Sequence, residues 1–160
     1  MKFVSDFATN YPLVAAGSAW VIAQILKLIT GAFKIKKFTV TEFLFGTGGM
    51  PSSHTAAVCA LVGACCIECG AGSVEFAISF ILAIIVIRDA TGMRRQVGEH
   101  AKALNIILKE LVGAKGDHKL AQKAFGELVG HTPLQVFAGM IVGAAVSILM
   151  SFIPVFGVPL

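Results

Sequence analysis

Between Tyr11 and Ile29 the chain carries one charged residue, Lys27, near the far end. A stretch that long and that apolar reads as a helix crossing a lipid hydrocarbon core. Three more apolar runs come later, at Thr55–Cys69, Val74–Ile87 and Leu134–Phe152. The middle two are short for full spans and are joined by a turn holding Glu68, Gly70, Gly72 and Glu75, so they read as a tight hairpin, tilted or not fully crossing. With 56% hydrophobic and 14% charged residues, the composition excludes an ordinary soluble domain of 160 residues. The expected fold is all-α: an integral membrane helical bundle of about four hydrophobic spans plus amphipathic interfacial helices, forming a single domain over residues 1–160.

Between the spans the pattern changes. Val97, Ala101, Leu104, Leu108 and Leu111 recur every three or four residues, the period of an amphipathic helix. A hydrophilic turn at Gly113–Asp117 and a shorter amphipathic piece with Leu120, Ala124, Phe125 and Leu128 complete that segment. Residues 1–10 read as an amphipathic lead-in through Phe3, Val4 and Phe7, without the basic region, apolar core and cleavage site of a signal peptide. Within the spans, Ala15, Ala16, Gly17 and Ala19 are small enough for close helix approach. Gly139-x-x-x-Gly143 offers a packing surface for a homo-oligomer.

Charge sets the topology. Of thirteen Lys and Arg residues, all except Lys2 fall on one side of a four-span chain, in the first loop, the third loop or the adjoining helix ends. The positive-inside rule makes that side cytoplasmic. The same side receives two helix starts built alike. Gly48-Gly49-Met50-Pro51-Ser52-Ser53-His54 precedes one apolar run, and Gly130-His131-Thr132-Pro133 precedes another. Proline suits a first helical turn, Thr132 is a capping residue, and unpaired N–H groups at helix starts attract anions. Two histidines at two such starts point to phosphate chemistry.

The residues Gly48-Gly49-Met50-Pro51-Ser52-Ser53-His54 resemble the Pro-Ser-Gly-His motif of the type-2 phosphatidate phosphatase superfamily, which includes the vanadium haloperoxidases. The closer resemblance is to its small divergent branch in bacteria and plants. His131-Thr132-Pro133-Leu134-Gln135-Val136-Phe137-Ala138-Gly139 is similar to the second half of the family's third motif, and Lys27 and Lys34 have the spacing of its first. Lys34 stands where the family has arginine, and Ile35 where it has proline. The resemblance implies that His131 is the nucleophile and His54 the acid for the leaving group. It implies that Lys27, Lys34, Ser52, Ser53 and either Arg94 or Arg95 bind the phosphate oxygens. The arginine's usual place falls on Phe125, so Gly92-Met93-Arg94-Arg95 would supply it from upstream. Gln135 replaces the carboxylate that orients the histidine; its amide oxygen accepts a hydrogen bond but brings no charge. Asp89, Glu99 and Glu127 are the acids that could stand in for it.

Other polar features read as structural. Cys59, Cys65, Cys66 and Cys69 lie on one apolar helix without a second ligand pair, and read as packing residues. His100 and His118 read as solvated. No metal-ligand cluster and no cofactor are expected, because lysine and arginine supply the positive charge. The leading expectation is a membrane phosphatase of a lipid or isoprenoid phosphate, in a bacterial plasma membrane with its site facing the cytoplasm and no nucleic-acid partner. Two alternatives are a non-catalytic binder or carrier of anionic lipid head groups in the same pocket, and a small structural membrane protein assembling through Gly139 and Gly143.

Overall fold

Tyr11, Ala15, Ala19 and Ala23 recur every fourth residue, and in the computed structural model, which describes residues 2–31, 49–115 and 131–156, all four are fully buried. The period places them on one stripe of a helix. Among the described residues every regular element is helical: α1 (Lys2–Ala8), α2 (Tyr11–Gly31), α3 (Ser53–Cys69), α4 (Val74–Thr91), α5 (Met93–Lys115) and α6 (Pro133–Ser151), with a final 3-10 turn at Pro154–Phe156. Three apolar helical stretches, in α2, from Val74 onward and in α6, are long enough to cross a membrane, and α3 is a shorter apolar helix. At 1.5 Å per residue its 17 residues extend about 25 Å.

Two further rows face the α2 stripe. Ser52, Ala56, Ala60 and Ala64 line one side of α3 and are fully buried. Gly139, Gly143, Ser147 and Ser151 form the buried row of α6. A Cβ added to Gly143 would lie 2.4 Å from the Ala56 carbonyl oxygen and 2.9 Å from the Ala60 nitrogen; one added to Gly139 would lie 2.5 Å from the Ser52 oxygen. The two helix backbones therefore touch, which only glycine permits. Gly63 of α3 makes room for the Ser147 side chain of α6. Where a membrane removes the hydrophobic drive between helices, such close contact is what holds them together. Gly139 and Gly143 are thus engaged inside the chain, on the face expected to serve self-association.

Pairings along the rows fix direction. Ala19 and Ala23 cluster with Ala56 and Ala60, while Tyr11 and Ala15 cluster with Ala64, so α2 runs antiparallel to α3. Ser52 meets Gly139 and Gly63 meets Ser147, so α3 and α6 run parallel. At the closed end of the α3–α4 hairpin, Gly70 (φ +83°) ends α3 with its N–H on the Cys66 carbonyl, and the Ser73 hydroxyl caps α4. There too, the Tyr11 hydroxyl donates to the Ser147 carbonyl and its ring lies 5.6 Å from that of Phe156. The opposite end gathers the C-terminal ends of α2 and α4 and the N-terminal ends of α3 and α6.

Three boundaries differ from expectation. Pro51, expected in the first turn of a helix, precedes the Ser52 cap, and α3 starts at Ser53 rather than Thr55. The third span continues past Ile87 to Thr91, because Arg88 and Asp89 are tolerated in a last helical turn; Gly92 breaks it instead. The Gly92 N–H closes on the Arg88 carbonyl at 2.8 Å, and a Cβ there would come within 2.7 Å of that oxygen. The amphipathic helix also continues through Gly113 to Lys115, beyond the start of the expected turn. The segment holding Leu120 to Leu128, and Lys34, lie outside the described residues.

Candidate active site at the ends of four helices

The same four-residue rows that pack the helices deliver the site. Continuing α2's row from Ala23 by one step reaches Lys27. Continuing α6's row backwards from Gly139 reaches Gln135 and then His131. The α3 row ends on Ser52, the cap of that helix. Packing and site geometry are therefore one arrangement seen at two levels.

Lys27 is half-buried and donates from Nζ to Ser53 Oγ at 3.0 Å. The loop before α3 lies over its stem. Gly49, at φ +84°, brings its Cα close enough that a Cβ would touch Lys27 Cγ at 3.5 Å. Glycine is favoured there by its backbone angle. Thr30 Oγ1 clamps the next residue by donating to the Met50 carbonyl at 2.6 Å, and the Met50–Pro51 peptide is cis. Pro51, Ser52 and Ser53 are buried and His54 is exposed. Ser52 turns inward: its Oγ accepts from the Thr55 N–H (3.4 Å) and the Thr55 hydroxyl (2.9 Å).

The two histidine-bearing helix starts are stitched together. The Ser52 N–H donates to the Gln135 carbonyl at 3.0 Å. His131 is buried, and its N–H donates to the Ala90 carbonyl of α4 at 3.0 Å. A chain of contacts therefore runs from Lys27 through Ser53 and Ser52 to Gln135, His131 and Ala90, joining four helices. Asp89, half-buried, is the residue before Ala90.

Gln135 fixes the chemistry of His131. Thr132 and Gln135 form a capping box: the Gln135 N–H donates to Thr132 Oγ1 at 3.4 Å, and Gln135 Oε1 accepts the Thr132 N–H at 3.0 Å. The backbone N–H can only donate, so that side-chain atom is the oxygen. His131 Nδ1 lies 3.2 Å from the same oxygen and must carry its proton to bond with it. In the neutral ring the lone pair then belongs to Nε2. A neutral glutamine thus does the tautomer-setting part of a carboxylate's work and omits the charge.

The electrostatics favour an anion. The positive ends of two helix dipoles, those of α3 and α6, reach the site, and Lys27 brings its amino group beside Ser53. Among the described residues, no three His, Cys, Asp or Glu side chains cluster as a metal ion would require. Of the predicted site residues, the structure joins Lys27, Ser52, Ser53, His131 and Gln135 through these contacts. His54 stands on the first turn of α3 beside Ser53, and Arg95 is exposed on the first turn of α5. The Arg94 side chain, like Lys34, lies outside the described residues. Sequence reasoning missed Thr30 and the Ala90 carbonyl. Thr30 had a signal, standing three residues after Lys27 at the end of a span; a backbone carbonyl has none.

Comparison with known proteins bears on most of the chain. Residues 8–146 match the profile of the divergent PAP2 family. A relative from Bacillus subtilis (strain 168), the uncharacterized membrane protein YuiD, is 36% identical over 155 residues, covering 92% of this chain and 98% of its own length. No solved structure matches. The chain belongs to the divergent PAP2 family and is an integral membrane protein.

Proposed function

We propose that this divergent PAP2 family member is a membrane phosphatase that hydrolyses a lipid or isoprenoid phosphate through a phosphohistidine on His131, at the cytoplasmic face of a bacterial plasma membrane. The observation that carries the reading is the shared Gln135 oxygen, which sets the His131 tautomer with its lone pair on Nε2. In the first step that lone pair attacks phosphorus, and the bond from phosphorus to the leaving oxygen breaks. His54, entering as imidazolium, gives its proton to that oxygen. Positive charge develops on the His131 ring, with Nδ1–H held by Gln135. In the second step water attacks phosphorus, the P–N bond breaks, and His54 takes the proton from the water. Lys27, Ser53 and the N–H groups at the start of α3 face the equatorial oxygens, with Lys34 and Arg94 or Arg95 as the further cations.

One observation favours a second reading. Gln135 offers no negative charge to a histidine cation, which suits a protein that holds an anionic lipid head group without turning it over. Purified protein in nanodiscs, assayed for phosphate release with an alkaline quench to trap phosphohistidine, separates the two. Release abolished by His131→Ala supports the phosphatase. Equal release by His131→Ala and wild type, or lipid co-purification without release, removes it.

A further inference from the structure

α4 alone extends about 27 Å at 1.5 Å per residue, close to a full hydrocarbon core. Beyond Gly92 the chain has therefore left the core, and it carries Arg95, Glu99, Lys102 and Glu110 with exposed side chains. α5 then either projects into water or lies on the membrane. Its surface decides. Met93, Val97, Leu104 and Ile107 are each exposed over 47–70% of their area. At 3.6 residues per turn they fall within an arc of about 80°. His100 shares that arc. Arg95, Glu99, Lys102 and Glu110 lie on the opposite side, with Ile106 the apolar exception among them, and Gly98, Ala101 and Asn105 form a separate buried stripe between the two. Water would bathe that apolar stripe if α5 projected. The preceding α4 is likewise open at Ile78, Ile81, Leu82 and Ile85, as a membrane span requires.

We infer that α5 lies in the membrane surface on the side of the site, its Met93–Val97–Leu104–Ile107 stripe sunk among the lipid chains and its charged side in water. This division of surface is that of an interfacial amphipathic helix. Its anchorage sets depth. Gly92 is two residues from Ala90, whose carbonyl holds the His131 N–H, so the lipid-bound start of α5 and His131 sit at one level. That level is where the chains of a lipid meet its head groups. If the proposed phosphatase reading holds, on which this consequence rests, the site meets a phosphate carried by a membrane-anchored amphiphile without lifting it out of the leaflet.

The test reads depth and needs no turnover, so its failure and that of the phosphatase reading are distinct. In a Trp20→Phe background, single tryptophans are introduced by Val97→Trp, Leu104→Trp, Glu99→Trp and Lys102→Trp. All four positions are exposed, so folding is spared. The full chain is placed in phosphatidylcholine–phosphatidylglycerol nanodiscs, with lipids brominated near the top of the acyl chain, and iodide is added separately. Expected are bromolipid quenching and loss of iodide quenching at positions 97 and 104, with the reverse at 99 and 102. Iodide quenching at 97 and 104 equal to that at 99 and 102 would mean that α5 projects into water. Shielding of 97 and 104 from both quenchers would mean that protein covers the stripe, from this chain or a second copy. Either result overturns the inference.

Discussion

Gln135→Glu exchanges one amide for one carboxylate in place. The capping box survives it, since glutamate at this position accepts the Thr132 N–H as glutamine does. The new charge sits at the positive end of the α6 dipole, worth about 0.3–1 kcal/mol toward stability. Its larger effect is on His131, whose Nδ1 is 3.2 Å from the substituted atom. Two full charges about 4 Å apart at an effective dielectric of 20 attract by about 4 kcal/mol. Gln135 is only half-buried, and only part of the imidazolium charge has formed in the transition state. A gain of about 1.4–2.7 kcal/mol is therefore expected, or about 10- to 100-fold in kcat. The carboxylate also raises the histidine pKa relative to wild type, by favouring the cation. Attack needs the neutral ring, so the acid limb of kcat/KM moves to higher pH, and the gain is read on the plateau above it. The assay is phosphate release against pH in nanodiscs, beside a thermal melt. A variant at least as stable as wild type, with an unchanged plateau and an unmoved acid limb, would refute the reasoning. Half-buried Asp89, next to Ala90, would then be the first candidate for a charge already in place.

His131→Ala should abolish turnover and the acid-labile phosphoenzyme, whereas His54→Ala should spare a nitrophenyl phosphate relative to an alkyl phosphate, because a good leaving group needs little protonation. Lys27→Met should raise KM for a phosphate substrate by about tenfold or more, the loss of one charge-assisted contact of about 1.5–3 kcal/mol, with the melt changed little. Gly143→Ala should destabilise by about 1–3 kcal/mol, since its new Cβ meets backbone atoms of Ala56 and Ala60 that cannot swing aside; the melt in detergent measures it. Cysteines at positions 36 and 115 should resist an impermeant reagent in intact cells, and ready labelling there would overturn the cytoplasmic assignment.

The helices were legible because apolar runs and their caps are local. Pro133 as the start of α6 behind its Thr132 cap and the amphipathic α5 are set by neighbouring residues, whereas Pro51, expected in a first helical turn, precedes the Ser52 cap of α3. Which face each helix buries was not. Ala15, Ala16, Gly17 and Ala19 all read as small packing residues, yet Ala15 and Ala19 are fully buried while nothing lies within 4 Å of a Cβ placed on Gly17. A partner helix makes that choice, and the sequence of α2 alone does not contain the partner. For the same reason His54 and His131 looked equivalent as residues at helix starts, although one is exposed and the other buried. They stand on opposite sides of their caps: His131 precedes the Thr132 cap of α6, whereas His54 follows the Ser52 cap of α3 by two residues. The role of Gln135 was half legible: its amide oxygen was an evident acceptor for the ring N–H. That the same oxygen also takes the Thr132 N–H, and so identifies itself, required coordinates.

The charge that Gln135 lacks also bears on affinity, because of where the positive charge is. In the proposed phosphatase, Lys27 and two helix dipoles would act on a bound phosphate in its ground state as well as in the transition state, and binding that is uniform in this way lowers KM without raising kcat. A carboxylate at position 135 would repel the same anion in its ground state, but would also stabilise the cation that forms on His131 only as phosphorus is attacked. On the proposed phosphatase reading, glutamine would therefore trade turnover for affinity. Gln135→Glu should raise kcat and at the same time weaken inhibition by inorganic phosphate, whereas a Lys27 substitution should weaken phosphate inhibition and lower kcat/KM together. A protein built only to hold lipid head groups would show the affinity loss in both variants and release of phosphate in neither. Measuring the inhibition constant of phosphate beside the rate thus places the protein on one side or the other of that division, even if the wild-type rate is slow.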